Sequence, residues 1–291
     1  MSSDIMPMTE PRPRRQQSQD SGAADAALLF DEPGPRGRIL IAIGSVVAVI
    51  GIAALAAAVL YRLDLAGQLD YPKWRYFLGQ SVVSQLLEAA GTTLTLGGVA
   101  AVLTFPLGIA LGWLRLLDNR PIKWLVGLWV DAMRAVPMLL LVYFFLLVVP
   151  RFATISDFWK LALPIVMCTS ATTAEVFRSG VRALDRGQTE AAWALGMSPS
   201  LTMRLILAPQ ALRLMLPTLI TQMVTIIKGT TLAYVLAYPE LMYRGSTMIG
   251  QAKIDAHLSV FFQTYVIIAV LYIIVNWSLG ALARYIESRT R

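Results

Sequence analysis

Four ionisable side chains, Asp131, Arg134, Glu175 and Lys228, stand inside or at the edges of long apolar runs. A charge at the centre of a bilayer costs about 2.5–3.5 kcal/mol on insertion scales, so residues of this kind are usually paired or functional. Asp131 and Arg134 are three apart, as are Glu175 and Arg178, and on a helix that spacing lets each couple pair. Each couple therefore either serves a charged solute or only orients and steadies its own helix. A longer pattern follows. Thr218, Thr221, Gln222, Thr225 and Lys228 recur every three or four residues, which places them in one polar stripe on an otherwise apolar helix. In a membrane such a stripe has to meet protein or water. It either lines a path for a polar solute or hydrogen-bonds across a helix–helix seam. The chemistry on offer is binding and passage. Cys168 is the only cysteine and His257 the only histidine, which leaves no disulfide, no His-pair ligand set and no Cys-based metal site within the chain.

The elements that must carry these residues are membrane spans. Of the 291 residues, 56% are hydrophobic and 15% charged, against about 25% charged in an ordinary soluble domain. The net charge of +7 is spread over short loops, so it points to membrane orientation rather than to nucleic acid. Residues 1–37 are rich in Pro, Arg, Ser and Gln without apolar periodicity, and read as a disordered tail rather than a cleavable signal. An apolar run at 39–60, within a first segment of 38–61, is long enough to cross the roughly 30 Å hydrocarbon core. Five further spans are expected at about 92–114, 122–149, 158–178, 212–227 and 258–282. The third is overlong, and its first part is expected to lie in the interface before Pro137. Segment 62–91 mixes aromatic and charged residues and is expected along the outer interface. In the second span Gly108 and Gly112 are spaced for a close helix contact. The fold class is all-α, a polytopic membrane protein of about six helices. Leaving out Arg134, Arg213 and Lys228, which sit in spans or at their edges, fifteen Lys and Arg residues fall on one side of these spans and seven on the other, which expects both termini, including 284–291, in the cytoplasm.

The longest loop on the basic side, about 179–204, has structure written into it. Glu190 to Leu195 are good helix formers with a carboxylate at the positive end. Gly196 can take the left-handed conformation that stops a helix, and Ser198 with Pro199 can start another. A short helix is expected here, held by a tight turn between two spans.

Glu190-Ala191-Ala192, three residues, Gly196, nine residues, then Ile206 and Pro209 resemble the EAA loop of ABC importer permeases, although this chain has Ala208-Pro209 where the family has Leu-Pro. Residues 173–180, Gly187-Gln188, Pro209-Gln210-Ala211-Leu212-Arg213, Lys228-Gly229-Thr230-Thr231-Leu232 and Arg134-Ala135-Val136-Pro137 resemble the polar amino acid branch of that family. Upstream, residues 29–38 and Gly67-Gln68-Leu69-Asp70 resemble one permease subunit of actinobacterial glutamate importers. The resemblance implies a type I importer core over 92–283, in a multi-pass protein of the cell membrane. It also implies a second permease subunit, two ATPase subunits beneath and an extracytoplasmic amino acid binding protein. ATP and magnesium would be bound by the ATPase partners, since this chain has no Gly-x-x-x-x-Gly-Lys-[Ser/Thr] loop and is expected to hold no cofactor or metal itself. Glu190, Ala191, Ala192 and Gly196 would form the ATPase-coupling element. Thr218, Thr221, Gln222, Thr225, Lys228, Thr230, Arg134 and Glu175 are the candidates for the substrate path. Glutamate leads as substrate, with another polar or basic amino acid as the alternative. A gradient-driven carrier would need no structured loop helix, and an intramembrane enzyme would need a nucleophile–base pair or metal ligands.

With Cys168 replaced, single cysteines at Ser198 and Ser288 should react with impermeant reagents only from the cytoplasm, and cysteines at Gln68 and Ser156 only from outside. External reactivity at position 198 would overturn the assigned orientation.

Overall fold

The computed structural model describes residues 34–290; most of the expected tail, with part of the glutamate-importer resemblance at 29–38, lies outside them. The described residues are almost entirely helical and divide at Gly67 into two units. The first holds one helix, α1 (Pro35–Leu65), longer at both ends than the expected 39–60. Pro35 suits its first turn, where a missing N–H costs nothing. At 31 residues it is roughly 46 Å long, and none of its side chains is buried within its own unit.

The second unit opens with a short helix α2 (Tyr71–Arg75) and a 3-10 turn (Tyr76–Leu78). It then enters α3 (Gln80–Leu114), 35 residues long. The helix thus starts twelve residues ahead of the span expected at 92. Val82, Leu86, Ala89, Thr93, Leu96 and Ala100 are all buried and recur at helical spacing. The polar residues between them, Ser81, Ser84 and Glu88, sit on an exposed flank and mask that periodicity. Val82 and Leu86 pack with Phe77, Met248, Ala252 and Val260.

The overlong third span is two helices, α4 (Arg120–Ala135) and α5 (Met138–Leu147), bent by 96°. The break falls where expected. Proline disfavours helical geometry in the residue before it, and Val136 is extended with ψ 128°.

At the centre is α6 (Asp157–Arg182), with fourteen buried residues, more than any other described helix. It packs on α3, α4 and α5, and on α9 (Ala208–Gly229). Four described helices are long and apolar enough to cross a membrane, or five with the bent pair taken as one span, where about six were expected. The helix that falls short of that apolarity is α6, although 26 residues give roughly 39 Å. Its neighbours are protein, so it carries buried Thr169, Ser170 and Thr173 without exposing them to lipid. Each of the three donates to a carbonyl of its own helix, and Thr169 also pairs with Thr104 of α3 at 2.8 Å.

After α6 the chain forms α7 (Arg186–Ala194) and the single turn α8 (Pro199–Thr202). A π turn over Met203–Leu207 follows, closed by Ala208 N–H donating to Met203 O, then α9 and a 3-10 turn over Thr230–Leu236. Together Pro199–Leu236 is one 38-residue helical run, much longer than the expected 212–227. Pro209 accounts for the π turn: its ring has no N–H to give the carbonyl four residues back and would clash with it, so the preceding turn widens. The chain ends in α10 (Leu241–Asp255) and α11 (Phe261–Thr290). Between them His257 takes φ 54°, a region histidine enters more readily than most residues, so the lone histidine makes a turn.

The paired glycines of α3 meet α6. A Cβ on Gly112 would lie 2.6 Å from the Ala174 carbonyl oxygen and 3.0 Å from the Phe177 ring, and one on Gly108 would lie 2.5 Å from Thr173 Cβ. Gly112→Ala should therefore cost about 1–3 kcal/mol through overpacking. Gly98→Ala, where nothing stands within 4 Å, should be neutral or stabilising by up to about 1 kcal/mol. Thermal melting of both variants in detergent checks this; equal melting temperatures would mean that the contact does not set the packing.

Candidate functional site

The polar stripe forms as its spacing requires. Ala211, Met215, Ile226 and Ile227 turn one face of α9 into the core. Thr218, Thr221, Thr225 and Lys228 stand exposed on another, with Gln222 half-buried beside them. Thr221 donates to Pro217 O at 3.2 Å and Thr225 to Thr221 O at 3.1 Å. Their hydroxyl protons are thus used within the helix, and the oxygen lone pairs face outward. Gln222 Oε1 is buried without a hydrogen-bond partner, and Lys228 forms no ion pair, among the described residues. The stripe is a row of hydroxyl and amide side chains ending in an ammonium that forms no ion pair among the described residues.

Thr230 does not belong to it. It is fully buried, donates to Ile227 O at 2.7 Å, and lies against the position a Cβ on Gly97 would take. Two residues past Lys228 is about 200° round a helix, so Thr230 points inward.

Arg134 and Glu175 are drawn into a cluster of five charges. Arg115, one residue past the end of α3, reaches Asp131 of α4 at 3.2 Å and Glu175 of α6 at 3.0 Å. Glu175 is also held by Arg178, whose Nε donates at 3.0 Å. Arg134 contacts Asp131 only at 4.0 Å and is half-exposed. Both couples expected from spacing are present, and Arg115 joins them. The sequence reading counts Arg115 only as a loop charge; its place one residue past the end of α3, beside two apolar runs that each carry a lone acid, is the signal that could have marked it. Three arginines against two acids leave the cluster cationic, tying α3, α4 and α6 together where the stretch after α3 begins.

The loop helix forms with a corrected start. Helix α7 begins at Arg186, and its cap is Asp185, which accepts from Gly187 N at 2.7 Å. Glu190 is therefore mid-helix and exposed rather than at the positive end. The stop is as expected. Gly196 has φ +76°, its N–H donates to Trp193 O at 2.9 Å, and Met197 N–H donates to Ala192 O at 3.1 Å. This is the paired closure of a Schellman turn. Ser198 caps α8 at Leu201 N, with Pro199 following it. Ala192 is buried, whereas Trp193 is 56% and Leu195 82% exposed, and Ala191 is exposed with them. Gln210 donates to Gln188 Oε1 at 3.3 Å, linking the loop helix to the first turn of α9. The result is a rigid platform with uncovered apolar side chains, attached to the helix that carries the stripe.

Residues 104–291 match the family described as binding-protein-dependent transport system inner membrane component. A probable glutamine ABC transporter permease of Bacillus subtilis is 33% identical over 198 residues, covering 68% of this chain and 89% of that protein. A glutamate transport system permease of Corynebacterium glutamicum is 33% identical over 230 residues, covering 77% of this chain and 82% of its own length. Among solved structures, an amino acid ABC transporter crystallised with histidines shares the fold with a TM-score of 0.64 at 24% identity, over 72% of this chain and 95% of that one. The inward-facing MetNI methionine transporter does so at 0.60 and 16%, over 73% and 99%.

Arg115 is largely buried between two acids, whereas Arg134 is loosely paired and half-exposed. Arg115→Met should cost about 1.5–3 kcal/mol, in the range of a charged hydrogen bond, while Arg134→Met should cost less than about 1 kcal/mol. Detergent melting temperatures compare the two, and equal losses would deny Arg115 its place as the junction.

Proposed function

The chain belongs to the binding-protein-dependent transport system inner membrane components, and from that premise we propose that it carries a polar amino acid, glutamate first, along the Thr218–Lys228 face of α9. It is the permease subunit of an ATP-driven importer, a multi-pass membrane protein whose own work is transport. The observation that supports the substrate path is that this polar face is left uncovered by the rest of the chain. Because Thr221 and Thr225 already spend their protons inside the helix, they offer little to a donor-hungry neighbouring helix and much to water or an ammonium group. Lys228 supplies the complementary charge for a carboxylate. Glutamate is favoured by the Corynebacterium relative and by the resemblance at 29–38 and 67–70.

The finer assembly follows from the same reading. A second permease subunit closes the path, an extracytoplasmic binding protein delivers the amino acid, and two ATPase subunits bind and hydrolyse ATP with magnesium. Both termini are cytoplasmic, which sets α7 against the ATPases. Exposed Trp193 and Leu195 enter a groove on that partner, Glu190 and Ala191 lie on the same loop helix, and buried Ala192 with Gly196 keeps the helix rigid. Motion of α7 is passed to α9 through the short α8 and the Gln188–Gln210 contact.

Two variants test the two halves in proteoliposomes containing the whole importer. Lys228→Met should lower apparent affinity for the amino acid about tenfold, the worth of one charged hydrogen bond, and leave basal ATP hydrolysis and melting temperature unchanged. A parallel loss of stability would assign Lys228 to structure instead. Gly196→Val has room for its side chain but resists the positive φ. It should insert normally and lose substrate-stimulated hydrolysis; wild-type stimulation would show that α7 does not couple.

A further inference from the structure

A buried carboxylate that neither the path nor the loop uses lies just beyond α9. Glu240 is fully buried, although no basic side chain pairs with it among the described residues. Its Oε1 accepts from Tyr243 N at 2.8 Å, capping α10, and its Oε2 accepts from the Tyr272 hydroxyl of α11 at 2.7 Å. The next residue, Leu241, donates its N–H to Thr93 Oγ1 of α3 at 3.2 Å. The hydroxyls of Thr93 and Thr230 flank that of Tyr272, and both threonines are fully buried. Burial pushes the Glu240 carboxyl above the usual carboxylate range, against the pull of the Met242 and Tyr243 N–H groups and the Tyr272 hydroxyl.

Each partner comes from a different helix. Thr93 belongs to α3, Tyr272 to α11 and Tyr243 to α10, while Thr230 opens the 3-10 turn that continues α9 two residues after Lys228. Ordinary helix packing here would need only apolar contacts, and the cluster of Phe77, Val82, Leu86, Met248, Ala252 and Val260 already supplies them between α3, α10 and α11. A buried, unpaired carboxyl is an expensive way to add adhesion. What it adds is a fixed geometry, because a hydrogen-bonded cluster has one arrangement and an apolar contact has many.

We propose that Glu240 is a positioning residue: through Tyr272, Thr93 and the start of α10 it pins α3, α10, α11 and the turn that continues α9 together, so that the Lys228 end of the path opens and closes as one gate. The pin rests on the reading of α9 as the path, but the geometry it imposes can be measured without reference to uptake. With Cys168 replaced, spin labels at exposed Leu87 of α3 and exposed Lys253 of α10 should give one narrow distance in the whole importer, both without nucleotide and with ATP trapped. Tyr272→Phe keeps the ring and the α10 cap and removes one bond; it should broaden that distribution, and Glu240→Ala should broaden it further. Glu240→Gln, which retains an acceptor, should restore it. In the broadened variants ATP consumed per amino acid imported should rise, with Tyr272→Phe melting within a few degrees of the parent. A narrow distance in Tyr272→Phe and Glu240→Ala overturns the pin, and broadening at an unchanged coupling ratio overturns its role as a gate. Failure of the path itself shows separately, as intact uptake in Lys228→Met.

Discussion

The contact between α3 and α6 sets the scale for everything around it. Gly108 and Gly112 let the two backbones approach until carbonyl oxygens of α6 occupy the space a side chain on α3 would need. At that separation Thr104 and Thr169 can share a hydrogen bond. Arg115, one residue past the end of α3, can also reach Glu175 on α6. Helix association within lipid has little hydrophobic drive and depends on close packing and polar contacts. Here the same interface supplies both. Once α6 is fixed against α3, its remaining surface receives α4, α5 and α9, and the stripe on α9 is left facing away from the core.

That arrangement explains which parts of the fold were legible in the sequence. Breaks written in backbone chemistry were: Pro137 separates α4 from α5, Gly196 ends α7, and Ser198 with Pro199 starts α8. So was the stripe from Thr218 to Lys228, since helical spacing alone determines which residues share a face. Features that depend on neighbours were not. The helix at 80–91 reads as interfacial because its exposed flank is polar, and only the packing of α10 and α11 reveals the buried one. Helix α6 lacks the apolarity of a lipid-facing span because it faces protein. Asp185 is an ordinary cap to look at, and nothing local gives it precedence over Glu190. Arg115 becomes a junction only when Asp131 and Glu175 arrive from helices sixteen and sixty residues away.

The same distinction runs through the polar residues inside the apolar segments. Those on α6 have been neutralised by the chain itself, the threonines by carbonyls of their own helix and Glu175 by two arginines. Those on α9 have not: the threonine oxygens and Lys228 stay exposed, and Gln222 Oε1 is buried without a partner. A permease that moves a zwitterion needs both kinds of polarity. The satisfied groups give the scaffold one geometry, and the others leave α9 a polar face that the rest of the chain does not cover.

The π turn at Met203–Leu207 has a further consequence for how the molecule can change over evolutionary time. A π turn closes its hydrogen bond one residue later than an α turn, so it takes one extra residue into a single widened turn. The extra residue is therefore taken up between two surfaces, the platform ahead of it and the stripe beyond it, without turning one against the other. A single-residue deletion in that turn would be taken up by closing it to an α turn, whereas one in the regular helix beyond would swing the rest of the stripe by about 100° relative to the platform.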